Sequence, residues 1–377
     1  MKKITVLTLV ILTLFGCRKD NQPIPRPSIS LSENHGFDSA VIIITIYGYQ
    51  SFKTVDSIYF NGKGAAILGY NDSQMVTRVP TLAGSGDVTF KLRGNTINAG
   101  KFKYDTSYRV STIAANLNDP FYIARDTAGN LFVSCYGENA IRKFDTKGSN
   151  TVWKTVPSPS GLTFDAAGNL YFVSNPANPL PSNIGPTIGR ISPNGDVQTI
   201  GMDSTAVLIG QIALDKNGSI YLPSPFKHWI DKMNPDGKVT RLVNDIFNPT
   251  GIHVGADGSI YCTSYSSHAY TDANGVVTKI TPSGGSTSTL ARFSYNYYAD
   301  LTSDPKGNLY ASSFDQRNSA GKLIRISPNG DTTALSTSSN MFHPRGLTRD
   351  EAGNFFVVVG QTSYDNTAGA ILKLTMH

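Results

Sequence analysis

The segment Pro159–Val173 reads PSGLTFDAAGNLYFV. An apolar run ends in Asp165, a D-x-x-G-N turn follows, and a second apolar run begins at Leu170. Asp offers a side-chain acceptor to the backbone of a tight turn, and Gly takes the positive-φ position. The segment therefore predicts two antiparallel strands joined by a hairpin, the first apolar on both faces. The same phrase recurs with turns starting at Asp126, Asp165, Asp215, Gly255, Asp304 and Asp350. Each copy runs on through a loop of variable length to a third strand carrying a basic residue, as in Gly189–Ser192 (GRIS). Three of these third strands close on a turn with Pro second and Gly fourth: Pro193-Asn194-Gly195, Pro235-Asp236-Gly237 and Pro328-Asn329-Gly330. A fourth strand follows, as in Asp196–Gly201 (DVQTIG).

The copies lie 39, 50, 40, 49 and 46 residues apart, close to the ~40–45 residues of a four-stranded propeller blade. Six blades are expected over residues 107–377. The last copy supplies three strands, while residues 107–115 (SYRVSTIAA) precede the first copy as an orphan strand. That strand is expected to complete the last blade and lock the ring, since an apolar edge left open invites pairing with other chains. The pattern P-x-G-[LI]-x-x-D-x-x-G-[NS]-[LI]-Y resembles NHL-repeat proteins and the wider six-bladed group. That group includes gluconolactonase/regucalcin-like hydrolases, peptidyl-hydroxyglycine lyases and strictosidine-synthase-like enzymes. The resemblance spans about residues 110–377. It implies architecture and leaves activity open, because one fold carries many functions.

Outside the repeats, residues 1–16 read MKKITVLTLVILTLFG: two lysines, then an apolar stretch too short for a comfortable membrane span. The run Leu14-Phe15-Gly16-Cys17 resembles a bacterial lipoprotein signal. The resemblance implies cleavage before Cys17 and lipidation of its sulfur. Arg18 in place of Asp implies the outer membrane, on its periplasmic or its exposed side. Residues 17–27, with Pro23, Pro25 and Pro27, suit a semi-extended tether. Residues 28–104 predict a small β-sandwich with strands Ser28–Leu31, Val41–Tyr47, Ser57–Phe60, Met75–Val79, Asp87–Leu92 and Gly100–Tyr104. Asn61-Gly62, Asn71-Asp72 and Gly84-Ser85-Gly86 mark its turns. The ordered features Thr45–Tyr49, Ile58–Ala65, Val79-Pro80, Ala83–Val88 and Phe102–Tyr104 resemble an IPT/TIG domain, an immunoglobulin-like fold that implies a spacer or interaction module. The expected fold class is all-β throughout.

Composition agrees with strands and turns: charged residues make up 16% and Gly numbers 35. The net charge of +6 is dispersed, with one basic residue per repeat: Lys143, Arg190, Lys232, Lys279, Arg325 and Lys373. A ring of that kind is no phosphate-tracking stripe, so no nucleic-acid partner is expected. These residues are expected to pair with the turn aspartates. Cys135 and Cys262 fall on second strands of repeats one and four, opposite each other in a six-membered ring and too far apart for a disulfide. Both read as buried small apolar residues.

Propellers place ligands at one mouth of the central channel, built by the loops between second and third strands and by the links between blades. The first kind of loop offers Tyr136 and Asn139, Asn175, His228 and Trp229, Tyr265, and Phe314. The links offer Tyr298 and His343. Where the first strand carries Gly in three blades (Gly161, Gly251, Gly346), the others carry Tyr122, Gln211 and Asp300, beside the channel. Arg345 precedes Gly346 and is placed to pair with Asp300 or to hold a charged ligand. Exposed rings among amides suit a sugar or an extended peptide.

No nucleophile elbow, phosphate loop or paired-carboxylate signature is present, and no catalytic residue is assigned. The resemblance leaves one divalent metal in the channel open. Lactonase-type relatives hold one with Glu, Asn and Asp, for which Glu138, Asn175 and Asp300 are the candidates. Lyase-type relatives use three His, for which His228, His268 and His343 are the candidates. The expectation is a lipid-anchored extracytoplasmic protein that binds a glycan, peptide or protein partner. A metal-dependent hydrolase or lyase and a purely architectural surface protein are the alternatives.

Overall fold

The computed structural model describes residues 28–36, 40–48, 52–80, 83–104, 107–175, 185–265, 274–284, 286–294, 300–314, 320–337, 341–360 and 368–376. The chain divides into two compact units, Met1–Tyr104 and Asp105–His377. The described residues are strands, turns and three short 3-10 turns.

In the first unit eight strands form one hydrogen-bonded path. Its order is Ser28–Leu31, Val41–Tyr47, Gln74–Arg78, Lys63–Tyr70, Val55–Phe60, Gly86–Leu92, Asn95–Tyr104 and His35–Gly36. Alternation decides which side is buried: Ile42, Ile44 and Ile46 on one half of the path meet Ile58, Phe60, Val88, Phe90 and Phe102 from the other in a single core. The rings of Phe60 and Phe102 pack edge to face at 5.0 Å. Asn61 and Gly62 both take positive φ (47° and 77°), the two-residue hairpin for which Asn-Gly is suited. Two strands, Lys63–Tyr70 and His35–Gly36, go beyond the six that the sequence indicated.

The second unit is a six-bladed β-propeller. Blade 1 is Pro120–Arg125, Leu131–Cys135, Ala140–Phe144 and Asn150–Thr155; blade 2 is Pro159–Phe164, Leu170–Ser174, Thr187–Ile191 and Val197–Met202. Blade 3 is Ala213–Leu214, Ile220–Ser224, Trp229–Met233 and Val239–Val243; blade 4 is Ile252–Val254, Ile260–Tyr265, Asn274–Ile280 and Thr287–Ser294. Blade 5 is Leu301–Ser303, Leu309–Phe314, Ala320–Ile326 and Thr332–Ala334. Blade 6 takes Pro344–Arg349, Phe355–Val359 and Ala368–Met376 from the end of the chain, and its fourth strand, Ser107–Asn118, from before blade 1. The innermost strand of blade 6 packs on that of blade 1, closing the ring.

Apolar cores fill the slots between blades. Along Phe355–Val359, odd residues face the slot toward blade 5 and Phe356 and Val358 face the slot toward blade 1. This is why the second strands are apolar without alternation. Cys135 lies in the slot between blades 6 and 1, and Cys262 in the slot between blades 3 and 4. Both are free and buried, and burial pushes the Cys135 thiol up to about 12.

The turn reading holds in detail. Asp165 accepts from the Asn169 N–H through one oxygen (2.8 Å) and from the Asn169 side-chain amide through the other (2.7 Å). Asp126, Asp304 and Asp350 repeat the arrangement. The basic ring behaves otherwise than expected. Among the described residues only Lys279 reaches its turn carboxylate, Asp257, at 3.6 Å. Each basic residue instead lies opposite an aromatic residue of the second strand: Phe132, Tyr171, Tyr221, Tyr261, Tyr310 and Phe356 in blade order. The ammonium groups of Lys143, Lys232, Lys279 and Lys373 sit 5.5–5.7 Å from those ring centres. Where the ring is Tyr171, Tyr221 or Tyr310, its hydroxyl donates to the turn aspartate (3.3, 3.0 and 3.0 Å). The aromatic residue stands between cation and carboxylate, which direct pairing had left out.

Candidate functional site

The first strands carry large side chains in odd blades and Gly in even ones. The reason is close approach. A Cβ on Gly161 would lie 2.5 Å from the Gly210 carbonyl, and one on Gly346 would lie 2.6 Å from the Tyr122 Cα. Tyr122 (2% exposed), Gln211 (5%) and Asp300 (0%) fill the space between. Gln211 Nε2 donates to Asp300 Oδ2 at 3.2 Å, while its Oε1 accepts from the Leu162 and Ile212 N–H groups. Asp300 accepts in addition from the N–H groups of Leu301 (2.8 Å) and Leu347 (2.9 Å). Strands of blades 2, 3, 5 and 6 are thereby tied through one buried amide–carboxylate pair. Burial pushes Asp300 up to about 7, against the pull of those donors. Beyond Gln211, a cavity of about 250 Å³ continues down the channel between Ile123, Leu162, Ile252, Leu301 and Leu347.

Arg345 does not pair with Asp300. Its guanidinium donates to Asp119 Oδ1 (2.6 Å) and to the Pro120 carbonyl (3.0 Å), and it covers the Phe121 ring at 4.1 Å. Phe121 in turn packs on Tyr136 at 5.8 Å. These half-exposed groups form one station of the mouth, on blades 6 and 1. His343, at the head of the blade 6 strand, is held down from its ordinary value by burial and by Arg345.

A second station lies on blade 3. Phe226, at the tip of the turn Pro225–Lys227, is 67% exposed. On the same blade and the link that leaves it, the His228 and Phe247 rings lie 4.4 Å apart, tilted by 30°. Asn139 and His228 hold equivalent posts in blades 1 and 3. Both are left-handed (φ 52° and 61°). Asn139 Oδ1 accepts from the Ser158 N–H (2.9 Å) and His228 Nδ1 from the Asn248 N–H (3.1 Å). Each side chain thus pins the link to the next blade. Asn175 does the same from inside, bonding Ser160 and both backbone groups of Ile209 while 3% exposed. Left-handed, non-glycine backbone gathers at this mouth: Asp119, Ser158, Asn248 and His343 each precede a proline. Sequence reading did not anticipate this strained rim; the four x-Pro pairs were its only trace. Trp229 is half-buried under Arg241, whose guanidinium lies 3.4 Å from the ring centre. The side chains of Tyr265 and Phe314, all of Tyr298, and His268 lie outside the described residues.

The set Glu138, Asn175 and Asp300 does not fit a divalent metal; of the three-histidine set, His268 lies outside the described residues. Glu138 is taken by Arg142 (2.7 Å) and by the Asn118 N–H, Asn175 by blade 2 and its link, and Asp300 by three donors. Among the described residues, no three His, Cys, Asp or Glu side chains converge.

No protein-family model matches the sequence, and no curated protein matches it. The fold is shared with solved structures. An auxiliary nutrient binding protein from Bacteroides ovatus aligns with a TM-score of 0.53 at 14% identity, covering 94% of this chain and 99% of its own. A gluconolactonase from Xanthomonas campestris aligns with a TM-score of 0.56 at 14% identity over 72% of this chain and 90% of its own. A streptogramin B lyase aligns with a TM-score of 0.50 at 15% identity over 72% of this chain and 98% of its own. At such identities the superpositions show a common fold alone.

Proposed function

We propose that the chain is a lipid-anchored extracytoplasmic binding protein, held at the outer membrane through Cys17. An IPT/TIG-like spacer would precede an NHL-like propeller that receives its ligand at the aromatic mouth. One contrast carries this reading. The polar groups at the head of the channel are engaged within the protein, whereas the Phe226 ring stands exposed on the rim and Phe121 and Tyr136 are half-exposed. An exposed flat face favours a saccharide, whose ring stacks on it. The nutrient binding protein aligned along nearly its full length is consistent with this role, and the gluconolactonase and lyase, aligned over about the share that the propeller makes up, are as consistent with the hydrolase alternative.

The test is a glycan array probed with the full chain in detergent, followed by calorimetric titration of hits against Phe226→Ala and Phe121→Ala. Saturable binding weakened at least tenfold by either substitution is the expected result. A chain that binds no glycan or peptide, but carries one tightly held metal ion and turns over lactones, would overturn it in favour of the hydrolase reading.

A further inference from the structure

The slot between blades 2 and 3 differs from the rest of the propeller. Its lower part is apolar, with Val173, Ile188, Ile212, Leu222 and Met233. By strand alternation Ser224 follows Leu222 onto this face, and Trp229 and Asp231 precede Met233 on it. Against them lies the link that leaves blade 2 at Asp203. Asp203 and Asp231 are each 1% exposed. The buried side-chain atoms without a hydrogen-bond partner among the described residues are Asp203 Oδ2, Ser224 Oγ and Trp229 Nε1. All three belong to this slot.

Counting hydrogens shows a shortfall. Asp231 Oδ1 accepts from Arg241 Nε at 2.6 Å. Thr205 Oγ1 lies 2.7 Å from Asp203 Oδ1 and 3.2 Å from Asp231 Oδ2, yet a hydroxyl has one hydrogen to give. Asp203 Oδ1 also accepts from the N–H groups of Thr205 and Ala206, and its Oδ2 has no donor among the described residues. Two buried carboxyl groups therefore face one guanidinium. Among the described residues Lys227 also comes near, its ammonium 5.9 Å from the Trp229 ring centre. The segment 176–184 (PANPLPSNI) contributes no titratable residue. A buried carboxylate oxygen without a donor, in a pair that carries two negative charges against one guanidinium, is costly, and one proton on the pair removes the excess charge and adds a donor.

We propose that the buried Asp203–Asp231 pair holds one proton at neutral pH, forming with Thr205 and Arg241 a proton-dependent latch that fastens the link between blades 2 and 3. A calcium ion is the poorer occupant: it takes about six to eight oxygens, and Asp203 Oδ2 and Ser224 Oγ are the acceptors left open. Burial, followed by the nearness of Asp203, raises Asp231 above the usual carboxylate range, although Arg241 opposes this. The sign follows from linkage. A group raised on folding gives stability that is whole below its unfolded value and is lost as pH rises through the folded one. The latch tightens toward acid and loosens toward alkali.

Infrared difference spectra of the full chain at neutral pH test this directly. Wild type minus Asp203→Asn should lose one protonated carboxylic-acid band, and that band should persist in Asp300→Asn, which removes the other raised carboxyl group. The amide that Asp203→Asn introduces can donate where the pair's proton did, so this variant should stay folded and lose part of the wild type's decline in melting temperature with rising pH. A difference spectrum showing only ionised carboxylate bands would overturn the proposal. So would a melting temperature raised by calcium in wild type and unmoved in Asp203→Asn, which would put a metal where the proton is proposed.

Discussion

Gln211 reaches from blade 3 across the channel to Asp300 of blade 5, with its Nε2 3.2 Å from Oδ2. Glutamine suits this post because it donates on one side and accepts on the other. It satisfies a carboxylate and the Leu162 and Ile212 N–H groups together. The pair closes the polar head of the channel with its hydrogen bonds made internally.

Asp300 gives the fold a pH dependence. Its value is raised to about 7 by burial, so its contribution is whole below the unfolded value near ~4 and declines until pH passes the folded value. The stability difference between wild type and Asp300→Asn, measured by urea denaturation, should therefore shrink between about pH 4 and 7 and level off above, at up to ~1.4 kcal/mol per unit. A difference that stays flat across this window would mean that the three donors have kept Asp300 ionised throughout.

Tyr221 stands between Lys232 and Asp215, its ring 5.7 Å from the ammonium and its hydroxyl 3.0 Å from the carboxylate. Tyr221→Phe should cost about 1 kcal/mol through the lost hydrogen bond, and Lys232→Ala about 0.5–1 kcal/mol through the lost cation–ring contact. The two losses should add in a double-mutant cycle, since Phe132 and Phe356 keep their lysines without a hydroxyl. Strong coupling between them would show that cation, ring and acid act as one unit.

The blades were legible because the D-x-x-G-N phrase carries its own local chemistry: Asp165 bonds Asn169 whatever surrounds it. Lys63–Tyr70 was missed because KGAAILGY is rich in Gly and Ala and weak in strand formers. Pairing with strands on both sides fixes it, and no local signal reports that. The alternation of Gly161, Gly251 and Gly346 with Tyr122, Gln211 and Asp300 was readable as a pattern. Its partners were not: Gln211 and Asp300 are separated by 89 positions, and whether Arg345 turns to Asp300 or to Asp119 depends on packing alone. Asn139 and His228 read as ligand contacts because they are polar loop residues. Their left-handed backbone and their hold on the next link appear only in three dimensions.

The glycines of the innermost strands are spacers, and substitution should separate them from surface glycines. Gly161→Ala would press a methyl group against the Gly210 carbonyl at 2.5 Å, where overpacking costs about 1–3 kcal/mol. Gly69→Ala meets nothing within 4 Å and should change stability by no more than about 0.5 kcal/mol. Denaturant midpoints of the two variants compare them directly. Equal midpoints would mean that the first strands have room to separate.

Closure of the ring rests on Ser107–Asn118, which is remote in sequence from the strand it pairs with. Leu117 on this strand is 2% exposed and enters the core shared by blades 6 and 1 with Ile123, Val133 and Ile371. Ile113, on the same strand, is 41% exposed. Leu117→Ala should cost about 2–5 kcal/mol, and Ile113→Ala no more than about 0.5 kcal/mol. If the strand merely rested against blade 6, both changes would be mild and removal of residues 107–118 would leave a soluble monomer. If it locks the ring, removal bares the edge of Ala368–Met376 along a strand that buries Ala370, Ile371 and Leu374. An unpaired edge of that kind templates association. The shortened chain should then elute from a sizing column as aggregate, while Leu117→Ala elutes as wild type and melts at lower temperature.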